Sequence, residues 1–221
     1  MTSAPGSAAG PARLAAAMED GDDLLAQTVA VLRVARPDPD PDSLPVSEGD
    51  RLLLDVHEQA LGRPLEHAVQ CPSCGTWSTL VLTSSSVGPH APRSAWCAPG
   101  VGLREPTYAD LRAADGDSDT LLARCRLGPA ATPPPTLGDL AGVEGSLCGS
   151  VRSSCVECGT PVVVEVDVAR LVLEALGLLR AEIDLEVHLL ATGYGWDLAS
   201  IERLPDDRRR RLASLVSGGR T

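Results

Sequence analysis

The 221-residue chain holds 19 Arg, no Lys and 30 Asp plus Glu, and its formal charge of -11 argues against a surface built to neutralise nucleic-acid phosphates. A hydrophobic content of 43% excludes a disordered polymer, but aromatics are only 2% and Phe is absent, so the core must be packed from Leu, Val and Ala. No stretch approaches the ~20 apolar residues that span a bilayer, and the amino-terminal segment lacks the basic start and apolar run of a secretory signal, so a cytoplasmic protein is expected.

In chain order, residues 1–21 read as an unstructured tail of Ala, Gly, Ser and Pro. A helix is expected over 22–35, acidic at its start, ending at Arg36 ahead of Pro37. The alternation Pro-Asp-Pro-Asp-Pro-Asp within 37–45 predicts a stiff, extended spacer. Ser47 and Asp50 resemble a capping box for a helix over 51–61, closed by Gly62, with Leu53, Val56, Ala60 and Leu61 on one side. Strands follow at 66–70 and 78–83, then a loop over 84–100 and a strand over 101–106. Thr107 and Asp110 cap a helix through Ala114, and another is expected over 120–127 before a proline-rich break at 130–136.

The strand–turn–strand pattern then returns at 149–153 and 161–167. Val172, Leu176, Leu179, Ile183, Val187 and Leu190 step by four and three residues, which marks a long amphipathic helix over 168–192 with Gly193 as its stop. Asp197 caps a short helix over 198–203, and Pro205 opens a last one with Asp206 and Asp207 in its first turn. The expected organisation is therefore a tail (1–21), a helix and Pro/Asp spacer (22–45), an α+β region (46–167) and a helical carboxy-terminal arm (168–221). The fold class expected is α+β, with zinc-ribbon-like β hairpins, helical insertions and that arm.

Each returning hairpin carries a cysteine knuckle, Cys71-Pro-Ser-Cys74-Gly75 and Cys155-Val-Glu-Cys158-Gly159. A Cys-x-x-Cys turn delivers two thiolates to one metal ion, and the following glycine permits the backbone such a turn needs. Together the four cysteines make one structural zinc site; the long separation is tolerable because loop-closure entropy grows slowly with length. Metal-free reduced cysteines and a redox pair are the competing readings. A redox Cys-x-x-Cys belongs at a helix start, whereas both knuckles lie between strands. With four protein ligands no position is left for an activated water, so the site does not imply an enzyme. Of the remaining cysteines, Cys125 reads as a small core residue, and Cys97 beside Trp96 or His90 offers an alternative site.

Other chemistry-bearing residues have plain readings. His188 and Glu186 are two apart on a helix and point away from each other, so His188, like His57, reads as a hydrogen-bonded helix histidine at a packing boundary. Arg208, Arg209, Arg210 and Arg211 suit the helix dipole or an acidic partner. Tyr194 and Trp196, two of five aromatics, read either as a wedge at a helical corner or as an exposed protein anchor. No nucleotide-binding, hydrolase or metalloprotease motif is present.

The run from Glu186-Val-His188 through Tyr194-Gly-Trp196, Ile201, Leu204 and the arginines to Val216 resembles the carboxy-terminal signature of the T-even-phage-type baseplate hub and hub-assembly family of contractile phage tails and phage-tail-like injection systems. The likeness extends over Leu52 to Gly75, Leu103 to Leu111, Leu121 to Cys125, the second knuckle and Asp167, so it covers most of the chain from about residue 51. Two departures are Leu212, where an aromatic is expected, and Val156-Glu157 in place of a proline-containing knuckle. The resemblance implies a non-enzymatic structural or assembly protein of the baseplate, working by contact with hub, tube or other baseplate proteins. It marks Glu186, Val187, His188, Tyr194, Trp196, Ile201, Leu204, Arg209 and Arg210; the partner-binding set expected is Glu186, His188, Tyr194, Trp196 and Arg208 to Arg211. The location implied is the bacterial cytoplasm during assembly, or the particle itself. A zinc-ribbon regulator that binds nucleic acid and a thiol redox enzyme are the rival readings.

Overall fold

The computed structural model describes residues 9–87, 94–98, 101–128, 134–143 and 145–218. The expected tail before residue 9 and the break at 130–133 lie outside the described residues. The α+β class is as expected, but the core is helical. Residues 11–20, assigned to an unstructured tail, form α1 (Pro11–Ala16) and a 3-10 turn (Ala17–Asp20). Pro11 suits the first helical turn, where no N–H partner is needed, and Leu14, Ala15 and Ala17 are buried. Full burial of a leucine contributes about 1.5–3 kcal/mol, enough to order so short a helix once a surface exists for it. Composition cannot show that surface.

Helix α2 (Leu24–Ala35) starts where Asp23 accepts the Ala26 N–H at 2.7 Å and stops at Arg36. The Pro/Asp segment is not a free spacer. Asp40 caps a 3-10 turn over Pro41–Ser43, Pro41 and Leu44 are buried, and Asp42 pairs with Arg33 at 3.2 Å and Arg112 at 2.7 Å. Helix α3 (Val46–Leu61) begins five residues earlier than expected, at an N-cap, Pro45, whose side chain caps nothing. Ser47 and Asp50 thus lie inside the helix, where the Ser47 backbone N–H donates to Glu105 Oε1 at 3.0 Å and Asp50 Oδ2 accepts the Leu147 N–H at 2.6 Å. Gly62, at φ 68°, closes the helix as expected.

Strands β1 (Leu65–Gln70) and β2 (Trp77–Leu82) pair antiparallel with Leu65 opposite Leu82 and Gln70 opposite Trp77. Residues 94–98, expected in a loop, form β3 (Ser94–Ala98), which pairs with β4 (Val101–Arg104). Helix α4 (Tyr108–Ala114) has the reciprocal Thr107–Asp110 capping box that was expected, and α5 (Ser118–Cys125) leads into β5 (Arg126–Leu127), the third strand of the β3–β4 sheet. With α6 (Leu137–Val143), these elements enclose a satellite core of Leu103, Cys125, Leu140 and Val143. The second knuckle hairpin is β6 (Cys148–Ser154) against β7 (Pro161–Asp167).

Helix α7 (Val168–Tyr194) links two cores. Its first half buries Val168, Val172, Leu173, Leu176 and Leu179 with α1, α2, α3 and with Val164 and Val166 of β7. Its second half packs Leu190 against Ile201 of α8 (Leu198–Glu202) and Ala213 of α9 (Asp206–Gly218). Gly193 does not stop the helix; Gly195 does, at φ 68°. Gly193 is small for another reason, since a Cβ there would lie 2.7 Å from Val216 Cγ1 of α9. Among the described residues no helix is long and apolar enough to cross a membrane.

Candidate metal centre

Two tight turns, one at the tip of each knuckle hairpin, fold alike. In the first, the Cys71 N–H donates to the Thr76 carbonyl at 2.9 Å and the Gly75 N–H to the Cys71 carbonyl at 3.0 Å. In the second, Cys155 donates to Thr160 at 2.9 Å and Gly159 to Cys155 at 3.0 Å. Gly75 and Gly159 sit at φ 73° and 71°, a left-handed conformation that side chains disfavour. The Val156-Glu157 departure therefore leaves the turn unchanged: proline is not needed where the strand register and the glycine set the geometry.

The hairpin tips meet. Cys71 Sγ lies 3.7 Å from Cys158 Sγ, and Cys74 Sγ lies 3.6 Å from Cys155 Sγ. All four sulfurs fall within 4.8 Å of one another, so Cys71, Cys74, Cys155 and Cys158 are placed to hold a metal ion. A tetrahedral thiolate centre with metal–sulfur bonds of about 2.3 Å has sulfur–sulfur edges of about 3.8 Å, which both close pairs match. The first cysteine of each knuckle is buried and the second exposed, so the two halves are related by an approximate twofold exchange.

Thr76 and Thr160 belong to the site, although the sequence reading passed over them. Their hydroxyls lie 3.4 Å from Cys74 Sγ and 3.2 Å from Cys158 Sγ. The signal was present as a shared Cys-Gly-Thr in both knuckles. The Thr160 hydroxyl, with the Thr160 backbone, holds the Cys158 thiol down to about 6, and Thr76 lowers Cys74 in the same way. Backbone N–H groups of Cys158 and Glu157 lower Cys155, but burial and the adjacent Cys74 and Cys71 thiols outweigh them and push it up to about 11. Four clustered thiols thus resist losing every proton unless a cation shares the charge.

No family model matches the chain, and no curated protein or solved structure matches it either.

The partner-binding residues expected in the arm divide. Glu186 and Arg209 are internal: Arg209 Nε donates to Glu186 Oε2 at 2.8 Å and its Nη1 to Asp206 at 2.8 Å, with side-chain exposures of 5% for Arg209 and 13% for Glu186. Their assignment to a partner surface is thus corrected; the pair clamps α9 onto α7. Arg210 reaches Glu186 at 3.6 Å but stays largely exposed, and Arg208 and Arg211 are exposed. His188 is exposed on α7 rather than set at a packing boundary, while its neighbours Val187 and Leu189 pack toward α8 and α9. The boundary reading does hold for His57, which is 2% exposed with Nδ1 3.1 Å from the Arg63 carbonyl; burial lowers its pKa.

Tyr194 and Trp196 do not wedge the corner. Their rings stack on each other, centroids 5.1 Å apart, and remain 44% and 38% exposed. Aliphatic contacts among Leu190, Ile201, Ala213 and the nearby Leu212 fill the corner, so an aromatic at Leu212 is not required. Cys125 is fully buried in the satellite core as expected. The surroundings of the Cys97 thiol and of His90 lie outside the described residues.

Proposed function

We propose that this chain is a non-enzymatic structural or assembly protein of a contractile-tail or injection-system baseplate, acting through protein–protein contacts. The observation that carries the reading is the stacked Tyr194–Trp196 pair, left on the surface of the arm by a chain with only five aromatics. Large aromatics presented to solvent at a helix end are the kind of residue that anchors interfaces. They fall within the run that resembles the baseplate family. The metal is zinc in this reading, since four thiolates in a closed tetrahedron suit a structural zinc ion. Its role is to staple together two hairpins, the second of which runs directly into the arm.

Mass spectrometry of a purified tail-like particle, together with pull-down of tagged hub and tube proteins, tests the assignment. Recovery in the particle identifies a component, and recovery only in an assembly intermediate identifies a chaperone. Trp196→Ala should abolish either association while leaving the melting temperature in place. Retention of the wild-type associations in that variant would refute the arm as the contact. The nucleic-acid reading loses further ground because Arg209, one of the four clustered arginines, is neutralised internally.

A further inference from the structure

A cleft of about 450 Å³ opens between α2, α3, α4 and the start of α7, away from the cysteine site and the arm's aromatic pair. Its volume falls in the range of about 300–1,000 Å³ common to binding pockets. Leu24, Leu25, Val46, Leu111 and Ala169 form apolar walls. Leu24 is 42% exposed, an apolar side chain left at the opening. Three carboxylates, Asp23, Asp50 and Asp167, also line the cleft, and no basic side chain does so among the described residues. Asp50 already accepts the Leu147 N–H, but Asp23 and Asp167 each cap a helix through Oδ1 alone. Asp167 Oδ2 meets Arg170 only at 4.0 Å, and Asp23 Oδ2 has no partner among the described residues.

Tyr108 lines the same cleft at 2% exposure, with its hydroxyl packed against Gly49 of α3.

We propose that this cleft docks a segment of a protein partner in which an apolar side chain stands next to a basic one. The apolar side chain fills the space between Leu25, Leu111 and Ala169, and the cation sits at the opening beside Asp23 and Asp167, Asp50 being buried at 4% exposure. Charge decides the occupant: a second copy would bring its own excess of acid, -11 overall, to an acidic rim. The inference rests on the reading of the chain as a protein-contact component and names the chemistry of one contact.

Two rhodamine-labelled amidated peptides test it by fluorescence anisotropy against the full metal-loaded chain: Gly-Leu-Leu-Arg-Gly, and the same peptide with Gln for Arg. The basic peptide should bind about tenfold more tightly. Asp23→Asn with Asp167→Asn keeps both helix caps, because asparagine caps as well as aspartate, and should erase that difference. Ala169→Trp, which fills the cleft from a half-buried position, should weaken both peptides about tenfold or more. Circular dichroism melts confirm that each variant folds. Equal affinity for the two peptides, absence of saturable binding, or binding unchanged by Ala169→Trp would each overturn the proposal. So would a dimer that Ala169→Trp dissociates, since the occupant would then be another copy. Any of these results, alongside recovery of the chain in tail-like particles, rejects the cleft and leaves the baseplate reading standing.

Discussion

Stripping the metal from the proposed zinc staple is the perturbation with the largest expected effect, and its size follows from where the four cysteines lie in the chain. The close sulfur pairs join residues 81 and 87 positions apart, so a metal bond between the hairpins closes a loop of that length. The chain-entropy relation for a cross-link puts the stabilisation from closing such a loop at about 4.5 kcal/mol. An unfolding entropy of about 2.1 cal/mol/K per residue then converts this to a fall of about 10 °C in Tm for a chain of this size. Chelation with a strong zinc chelator, followed by thermal unfolding by circular dichroism and metal analysis by plasma mass spectrometry, reads both quantities. About one zinc per chain and a Tm loss of about 10 °C, restored by added zinc, are expected. Cys155→Ala should reproduce the loss without chelator, and cobalt substitution should give the absorption bands of a tetrahedral thiolate site. A metal content near zero, or a chelated protein melting within about 2 °C of the untreated one, would refute the staple.

Four further outcomes follow from contacts in the fold. Arg209→Ala leaves Glu186 only the exposed Arg210 at 3.6 Å and should cost about 1.5–3 kcal/mol in urea unfolding, whereas Arg211→Ala, on the exposed side of α9, should stay within about 0.5 kcal/mol. Gly193→Ala places a methyl against Val216 and should cost about 1–3 kcal/mol, most of it recovered in the double variant with Val216→Ala. Asp110 is raised by burial, but the hydrogen bonds from Arg104 and Thr107 prevail and hold its carboxyl well below the usual carboxylate range. Its contribution is therefore fully present above about pH 4 and is lost as pH falls below that, so Asp110→Asn should destabilise at pH 7 by about 1–3 kcal/mol and by progressively less toward pH 2 in acid unfolding curves. Gly159→Ala forces a side chain into a left-handed turn and should weaken zinc retention in a competition assay with a chromogenic chelator, while Val156→Ala, on the 79% exposed tip residue, should not.

What could be read from the chain alone was local and periodic. The Thr107–Asp110 box, the Asp197 cap, the acidic start of α2 and the four-and-three stepping of α7 are short-range patterns, and each occurs as read apart from small end shifts. The cysteine knuckles were equally legible, because a Cys-x-x-Cys-Gly turn carries its geometry within five residues. Their meeting needed the fold, since no local rule brings Cys71 to within 3.7 Å of Cys158 across 87 positions. Long-range burial also reassigned residues whose local meaning was plausible. Asp50 ties α3 to the Leu147 N–H, Gly193 made room for Val216, and Glu186 and Arg209 turned inward as a clamp. The tail at 11–20 became helical for the same reason: Leu14 orders a short helix only when another element supplies the surface that excludes water from it. Sequence determined which turns and helices the backbone prefers, because those preferences act within one or two helical turns. Tertiary structure decided which polar groups are spent inside and which remain for a partner, because desolvation depends on neighbours that sequence order does not place.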